Sequence, residues 1–421
     1  MNRLANARDL REPGELGARR FVLLQGPSSP FFAKLGRALR ADGADVARVG
    51  FCPGDRLYWA RGAGRYLAYR GTLDAFGDWL VDLLRRDAAT DLVALGDGRD
   101  VHWRACAAIR EAGLPIRIWI VEHGYLRPNL ILVEPEGMGA QSSIPGRFLA
   151  GPLAVPTPVD PTGPVAGASF SVYAAMDVAY HAANLLLAWL RYPHYRAHSG
   201  IHPLREYGGW VQKIVRTPSR RRGRAKALAD IAAHAGPLFL FPLQLSQDAQ
   251  LTRSGTGEPQ EDVLDRVVTS FLANAPPEAR LVVKLHPIDN GLTDWFGRLS
   301  GHGDRVIFLD GGDLEHLLNR VDGVVTINST VGLQSLAAGR PTLALGQAIY
   351  RAAGLSAAQS MDTFWGAPET PDAARVERFV VFLKAGFHVP GTFDGQGAAT
   401  GAETLAAWLL SPPQVALGPP V

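Results

Sequence analysis

The chain alternates short runs of aliphatic and β-branched residues with longer stretches in which apolar residues recur at helical spacing. In the first half, apolar runs at 21–25, 46–50, 92–95 and 117–121 predict strands, and a helix is expected over 31–42. Strands that alternate with helices form a parallel sheet with crossover helices. The first half therefore predicts a Rossmann-like unit. Its first turn, GPSSP, departs from the glycine fingerprint of dinucleotide-binding proteins.

The second half repeats this pattern. Strands are predicted at 238–241, 281–284, 306–309, 324–327 and 341–345, with helices over 261–273, 313–319 and 331–338. A chain of 421 residues is also long enough for two cores. We therefore predict a first α/β domain over 19–210, a basic connection over 211–235 and a second α/β domain over 236–371. Residues 372–421 are expected to form a helical tail that packs back on the first domain.

Polar residues stand directly after two predicted strands of the second domain, in the stretches RLVVKLHPI (280–288) and GVVTINST (323–330). Parallel strands deliver such residues to the carboxyl edge of a sheet. The second stretch continues as a helix that Ser329 or Thr330 can cap, and a helix N-terminus attracts phosphate. His286 is a further donor for the same anion. The second domain is therefore predicted to be the nucleotide-binding half, and its candidate binding residues are Lys284, His286, Pro287, Asn328, Ser329, Thr330 and Gly346.

In the first domain, the strand over 117–121 is followed by EHGYLRP (122–128). Gly124 and Pro128 are typical of a tight turn, and this interpretation is as good as a catalytic one. A carboxylate fixed at the end of a rigid strand also suits nucleophilic or general-base chemistry. Glu122 is therefore predicted to face His286 across a cleft.

Three stretches lie between the two predicted sheets. Residues 135–170 are rich in Gly, Pro and Ser and are expected to form an active-site loop. A helix is predicted from Met176, with Asp177, Tyr180, His181 and Asn184 as a polar stripe that is either structural or ligand-binding. The third stretch, 210–226, combines an apolar stripe (Trp210, Val211, Ile214, Val215) with six positive charges between 216 and 226. It indicates either a helix that binds a membrane surface or a solvated bridge between the domains.

Composition limits the remaining classes of function. The sequence has no apolar run of about 18 residues and no signal-peptide core at its N-terminus. Cys52 and Cys106 are too few for a disulfide framework or a cysteine-based metal site, which favours the cytoplasm. The net charge of +3 does not argue for nucleic acid as a partner.

Taken together, these motifs resemble the capsular polysaccharide biosynthesis family, in its KpsS/LipB-type branch. The resemblance is carried in one order along nearly the whole chain by LQGPSSPFF (24–32), Gly96 and Asp97 with Arg99 and His102, EHGYLRP (122–128) with Glu134, YPHY (192–195), FPLQL (241–245), KLHP (284–287), INSTVGL (327–333) and LGQAIY (345–350).

The resemblance implies a GT-B architecture, in which two Rossmann-like domains face a central cleft. It also implies a retaining β-glycosyltransferase that moves 3-deoxy-D-manno-octulosonic acid (Kdo) from CMP-Kdo to a phosphatidylglycerol-type lipid. Such an enzyme would be cytoplasmic and peripheral to the inner membrane, with other capsule assembly proteins as further partners. It would need no cofactor, since CMP-Kdo is a donor substrate, and the sequence has no DxD motif for a metal.

The resemblance also assigns roles to residues. Glu122 matches the acidic position of the acid-x-Gly motif, and His123 stands where relatives carry a second acid, so both are candidates for the chemistry. His286 would bind the donor phosphate or help CMP leave, and Ser329 and Thr330 would cap the phosphate-binding helix. Arg99, Arg127 and Lys284 are candidates for the Kdo carboxylate, with Gly26 and Asp97 as further substrate-binding residues.

Two alternatives stay open. A GT-B enzyme that uses another CMP-activated acidic sugar would share the His-Pro motif and the phosphate cap. A non-catalytic, membrane-associated scaffold of capsule export would use only the basic segment.

Overall fold

A computed structural model of the chain describes residues 19–126, 128–151, 167, 169–196, 203–245 and 249–417. Three sequence-based expectations lie outside these residues, wholly or in part. They are the role of Arg127, the middle of the loop predicted over 135–170, and residues 152–166 and 168 within the first predicted domain.

The first sheet begins with five parallel strands in the order β3-β2-β1-β4-β5, which is the strand order of a Rossmann half. Its elements in chain order are β1 (Arg20–Leu23), α1 (Phe31–Ala41), β2 (Asp45–Gly50), α2 (Pro53–Leu57), β3 (Arg65–Ala68), α3 (Phe76–Arg86), β4 (Asp91–Leu95), α4 (Asp100–Glu111), β5 (Arg117–His123), β6 (Leu130–Pro135) and α5 (Ile144–Leu149). The last strand, β6, runs antiparallel to β5. The central strands are buried on both faces and therefore consist of continuous apolar residues.

Three helices connect the two sheets: α6 (Phe170–Arg191), α7 (Pro203–Val215) and α8 (Thr217–Ala233). The polar stripe of α6 forms a structural network with the first domain. Tyr180 Oη accepts a hydrogen bond from Gln25 Nε2 at 2.9 Å, and Asn184 Oδ1 accepts one from the backbone N–H of Gly54 at 2.7 Å. These contacts favour the structural interpretation of the stripe over the ligand-binding one.

The second sheet has five strands in the order β9-β8-β7-β10-β11, all parallel, which repeats the strand order of the first. Its elements are β7 (Leu238–Pro242), α9 (Ala249–Ser254), α10 (Gln260–Asn274), β8 (Arg280–Lys284), α11 (Trp295–Leu299), β9 (Val306–Leu309), α12 (Leu314–Arg320), β10 (Gly323–Thr326), α13 (Thr330–Ala337), β11 (Thr342–Ala344), α14 (Ile349–Ala352) and α15 (Met361–Phe364).

The end of the chain returns to the first sheet. It consists of α16 (Ala373–Phe387), β12 (His388–Pro390), α17 (Gly397–Leu410) and α18 (Gln414–Leu417). Strand β12 pairs antiparallel with β6 and becomes the edge of the first sheet. Phe393 packs edge-on against Phe31 at the start of α1, with ring centroids 4.9 Å apart, and Ser29 donates to the Phe393 carbonyl at 2.6 Å.

Two Rossmann-like α/β domains of this kind define the GT-B architecture, and the predicted fold class is confirmed. Several local expectations are wrong. Strand β5 extends through Glu122 and His123 because β6 continues to pair with it, so Glu122 lies within a hairpin strand. The loop expected over 135–170 contains α5, and the helix expected from Met176 already begins at Phe170.

Candidate active site at the carboxyl ends of the strands

Glu122 is held on the β5–β6 hairpin beside the loop that follows β4. Its half-buried carboxylate accepts a hydrogen bond from the backbone N–H of His123 at 2.8 Å. A Cβ atom built on Gly96 would lie 3.0 Å from Glu122 Oε2. Gly96 also has a φ of +62°, a conformation that L side chains rarely adopt. The absence of a side chain at Gly96 therefore leaves the space that the Glu122 carboxylate occupies.

His123, the neighbouring candidate, is exposed. Its ring lies edge-on to Phe393, with centroids 4.9 Å apart. The C-terminal segment also contacts the hairpin turn that follows, because Tyr125 donates its backbone N–H to His388 Nε2 at 3.0 Å. The returning chain thus positions both His123 and the turn after it.

The loop after β4 and the first turn of α4 carry three further residues of the motifs. Asp97 is buried and accepts a hydrogen bond from the Met138 backbone N–H at 2.8 Å. Arg99 donates from Nη1 to the Gly26 carbonyl at 3.1 Å, so these two predicted residues are in contact. His102 is fully buried, and its Nδ1 lies 2.8 Å from the carbonyl oxygen of Gly96. Burial lowers the pKa of His102 to about 3, so this imidazole is neutral and supports the loop.

Glu134, on β6, is a second carboxyl group near this loop. It shares the face of the hairpin with Glu122, since the cross-strand pairs are Glu122 with Leu132 and Ile120 with Glu134. Its carboxyl group is fully buried and accepts from Tyr125 Oη and Ser142 Oγ, each at 2.5 Å. Burial raises the pKa of Glu134 to about 8, although both hydrogen bonds lower it. Glu134 is therefore largely protonated at neutral pH.

In the second domain, β8 ends in Lys284 and leads into the His-Pro motif. Lys284 is buried, and burial lowers its pKa, while Asp310 and Asp313 act in the opposite direction. His286 is half-buried, and its Nδ1 accepts the backbone N–H of Ile288 at 3.3 Å. Helix α7 holds the loop that contains His286. Its Lys213 Nζ donates to the Asp289 carbonyl at 2.6 Å and lies 3.4 Å from the Pro287 carbonyl.

An amide pair joins the ends of β7 and β10. Gln244 donates from Nε2 to Asn328 Oδ1 at 3.0 Å, which orients the side chain of Asn328. Gln244 is itself held by Gln260, which accepts its backbone N–H at 2.7 Å and donates to its carbonyl at 3.0 Å. Gln244 and Gln260 are positioning residues that sequence reasoning missed, since glutamine alone carries no signal for this arrangement.

Helix α13 begins at Thr330, one residue before its predicted start, and Ser329 is its N-cap. Ser329 Oγ accepts the backbone N–H of Val331 at 3.2 Å. Tyr350, from α14, donates its hydroxyl hydrogen to the Ser329 carbonyl at 2.9 Å. The ring fits because Gly332 has no side chain, whose Cβ would lie 2.2 Å from the Tyr350 hydroxyl oxygen. The motifs INSTVGL and LGQAIY therefore form one structural unit.

Gly346 lies against the loop that follows α9. A Cβ at Gly346 would lie 3.0 Å from the Ser254 carbonyl, and the adjacent Gln347 N–H donates to the same carbonyl at 2.8 Å. A polar cavity of about 530 Å³ opens here, lined by Gly255, Thr256, Glu258, Arg266, Leu345, Gly346, Gln347 and Arg351. Of the binding residues predicted for the nucleotide-binding half, Gly346 alone is among those that line this cavity.

Helix α9 also joins the two domains beside the candidate site. Arg253 Nε donates to the Gly98 carbonyl at 3.3 Å, and its guanidinium lies 3.2 Å from the Asp100 carboxylate and 4.6 Å from the centre of the Trp103 ring. Ser254 Oγ accepts the backbone N–H of Ala140 at 3.1 Å. The loop with Asp97 and Arg99 is thereby linked, through α9, to Gly346 in the second domain. That Glu122 faces His286 directly stays a prediction.

Within the described ranges, no group of three or more His, Cys, Asp or Glu side chains is arranged to hold a metal ion. Both cysteines are free and buried. No helix of the described part of the chain is long and apolar enough to span a membrane.

Comparisons with known proteins identify the family of this GT-B chain. The sequence profile of the family described as capsule polysaccharide biosynthesis protein matches residues 90–389. The capsule polysaccharide export protein KpsS of Escherichia coli is 31% identical over 382 residues, which cover 87% of this chain and 95% of that protein. The capsule polysaccharide modification protein LipB of Neisseria meningitidis serogroup A is 29% identical over 394 residues, which cover 90% of this chain and 92% of LipB.

Among solved structures, a β-Kdo 2,7-transferase of Thermosulfurimonas dismutans KpsC is similar with a TM-score of 0.46 and 12% identity, covering 93% of this chain and all of that one. The profile match spans most of the chain and includes Glu122, His286 and Ser329. The chain belongs to the capsule polysaccharide biosynthesis family, and the resemblance inferred from its motifs is confirmed.

Proposed function

We propose that this protein is a retaining β-Kdo glycosyltransferase that moves Kdo from CMP-Kdo to a phosphatidylglycerol-type lipid during capsule biosynthesis. The observation that carries the proposal is the placement of the family's motifs at the carboxyl ends of the strands in both Rossmann-like domains. One domain presents the Glu122 carboxylate, and the other presents His286 and the capped start of α13. Ligands of open α/β sheets bind at such edges.

Retention follows from two successive displacements. In the first, the Glu122 carboxylate attacks the anomeric carbon of Kdo, and the bond from that carbon to the phosphate of CMP breaks. In the second, the acceptor hydroxyl attacks the same carbon and the bond to Glu122 breaks, which regenerates the carboxylate. The proton of the acceptor passes to a base, for which His123 is a candidate. The double inversion preserves the β configuration.

The leaving group is stabilised in the second domain. The departing phosphate of CMP gains negative charge, and the N-terminus of α13 carries the partial positive charge that favours an anion. His286 donates a hydrogen bond to the same phosphate, and Ser329 and Thr330 bind it from the cap. The Kdo carboxylate is bound by Arg99 and Lys284.

A lipid acceptor requires the enzyme to work at a bilayer. The exposed residues of α7 and the basic residues between Arg216 and Lys226 support a peripheral position at the inner membrane. The names of the relatives, a capsule export protein and a capsule modification protein, are consistent with a role beside other capsule assembly proteins.

The test is CMP release from CMP-Kdo with a phosphatidylglycerol-type acceptor, followed by mass analysis of the lipid. We expect a product heavier by one Kdo, and a loss of turnover of at least about 100-fold in Glu122→Gln and His286→Ala. His316→Ala, which changes an exposed histidine on α12, is the matched control and should retain activity. Comparing His123→Ala with Glu122→Gln separates the two candidates for the chemistry.

Two outcomes would overturn the proposal. Transfer from another CMP-activated acidic sugar, with none from CMP-Kdo, would assign a different donor. An absence of CMP release with any acceptor, together with undiminished membrane binding, would favour a scaffold role in capsule export.

A further inference from the structure

Helix α6 exposes a row of large apolar side chains that the sequence analysis did not single out. Leu186, Trp189 and Leu190 are 66%, 74% and 62% exposed, and Leu185 and Leu187 are also exposed. Between 178 and 190 the helix contains no Asp, Glu, Lys or Arg. An exposed helical surface without charges is unusual for a protein surrounded only by water.

The opposite side of α6 is firmly anchored, so the outer side is a fixed surface. The buried residues Tyr180, Asn184 and Ala188 recur every four positions and face the first domain. Tyr180 bonds with Gln25, and Asn184 bonds with the Gly54 backbone and with the Tyr195 hydroxyl. The exposed leucines therefore cannot turn inward without breaking this network.

The indole N–H of Trp189 already has a hydrogen-bond acceptor within the protein. Its Nε1–H donates to the Leu186 carbonyl within the same helix at 2.8 Å. The ring can therefore leave water without losing a hydrogen bond, which removes the main cost of burying an indole.

Helix α7 extends the same kind of surface and adds charge. It lies beside α6, where the ring of Tyr207 packs at a right angle to that of His181 with centroids 6.3 Å apart. Its outward residues Val211, Ile214 and Val215 are 60%, 68% and 73% exposed. The chain then enters α8, and exposed basic residues follow without an acidic one up to Lys226: Arg216, Arg221, Arg222, Arg224 and Lys226.

We propose that the outer side of α6 (Leu186, Trp189, Leu190) inserts into the interface of an anionic bilayer, together with Val211, Ile214 and Val215 of α7, while α8 binds the lipid head groups. This inference rests on the proposed function in one respect, since it supplies the membrane surface at which a lipid acceptor is reached. Apolar residues next to a basic cluster are typical of helices that lie in a membrane interface.

Charge favours a bilayer over a second copy of the chain. A two-fold interface places the same patch of both subunits together. Two such patches would bring two basic α8 helices close to each other, and their repulsion would oppose the apolar contact. An anionic lipid surface instead attracts α8 by roughly 1 kcal/mol for each basic residue near it.

The test is sedimentation of the full-length protein with vesicles of phosphatidylcholine, with and without phosphatidylglycerol. Substituting Leu186, Trp189 and Leu190 together by serine should weaken binding to the anionic vesicles by at least about tenfold. The matched control substitutes Leu57, Leu149 and Phe296 by serine, which removes three side chains that are also more than half exposed, on α2, α5 and α11. The control should bind like the wild type.

A second readout locates Trp189 itself. Vesicles with brominated acyl chains should quench part of the tryptophan fluorescence of the wild type, and this part should disappear in Trp189→Phe, which still binds. Vesicle binding without any Trp189-dependent quenching would show that α6 stays outside the bilayer.

The remaining outcomes are also decisive. Equal binding of the α6 variant and the wild type would overturn the inference. A change from dimer to monomer in the α6 variant, with unchanged vesicle binding, would assign the surface to a second copy. Vesicle binding is measured without donor, so it can succeed while CMP release fails, and the two proposals are tested separately.

Discussion

At the scale of single residues, Glu134 is a carboxyl group that the fold keeps protonated. It is fully buried, and the pKa is raised from 4.5 to about 8 chiefly by that burial. A group whose pKa is higher in the folded than in the unfolded protein makes its full contribution to stability at pH values below its pKa in the unfolded state. This contribution is lost as the pH rises through the folded value, here between about 4.5 and about 8.

Replacing Glu134 by glutamine should therefore remove this pH dependence. We expect the wild type to lose stability relative to Glu134→Gln as the pH rises through this window, by up to about 1.4 kcal/mol per pH unit. Urea midpoints across the pH range would measure it. Glu111→Gln, an exposed position on α4, is the control. A constant difference between Glu134→Gln and the wild type would mean that folding leaves the pKa of Glu134 unchanged.

At the scale of elements, the start of α13 depends on a residue from the next helix. Tyr350 is fully buried, and its hydroxyl donates to the carbonyl of the N-cap Ser329. Two residues that are 21 positions apart are thus joined at the position proposed to bind phosphate.

Tyr350→Phe should remove one of two hydrogen bonds to the Ser329 carbonyl, which keeps the Gly332 N–H at 3.0 Å, at a cost of about 0.5–1.5 kcal/mol, and should weaken CMP binding as the cap loosens. Thermal unfolding and CMP titration would measure the two effects. Tyr69→Phe is a matched control, because the buried Tyr69 also donates to a backbone carbonyl, that of Thr72 at 2.6 Å, in the first domain. The control should lower stability alone. Equal CMP affinity in Tyr350→Phe and the wild type would show that the cap of α13 does not contribute to CMP binding.

The elements also show what the sequence could predict. Buried parallel strands such as β4 and β8 have continuous apolar centres, and polar motifs lie at their carboxyl ends, so the second sheet, four strands of the first and the order of the candidate residues were predictable. Strands β3 (Arg65–Ala68) and β6 (Leu130–Pro135) were not predicted. Strand β12 has only three residues and exists because β6 pairs with it. Similarly, no local pattern indicates that Glu134 is covered by Tyr125 and Ser142, or that Arg253 reaches Gly98, since these contacts form only in the folded chain.

At the scale of the whole molecule, Arg253 is a contact between the domains at the candidate site. Its guanidinium combines an ion pair with Asp100, a hydrogen bond to Gly98 and a contact with the face of the Trp103 ring. Such contacts on a partly exposed side chain contribute on the order of 1 kcal/mol.

Arg253→Ala should therefore loosen the loop with Asp97 and Arg99 without unfolding either sheet. Hydrogen–deuterium exchange should become faster for the backbone amides of residues 97–103 and stay unchanged for β4 and β8. Arg298→Ala removes an ion pair with Asp265 inside the second domain and serves as the control. Unchanged exchange at 97–103 would show that the loop keeps its conformation without this contact.

The closing of the first sheet by β12 also bears on how the chain folds during synthesis. A ribosome delivers β1–β6 first, yet the edge strand of that sheet and the helix that packs on α1 are made only after the entire second domain. Until β12 is synthesised, the β6 edge of the first sheet has no partner strand. The second domain, by contrast, has all five of its strands between 238 and 344. The domain translated second is therefore the first that can be completed.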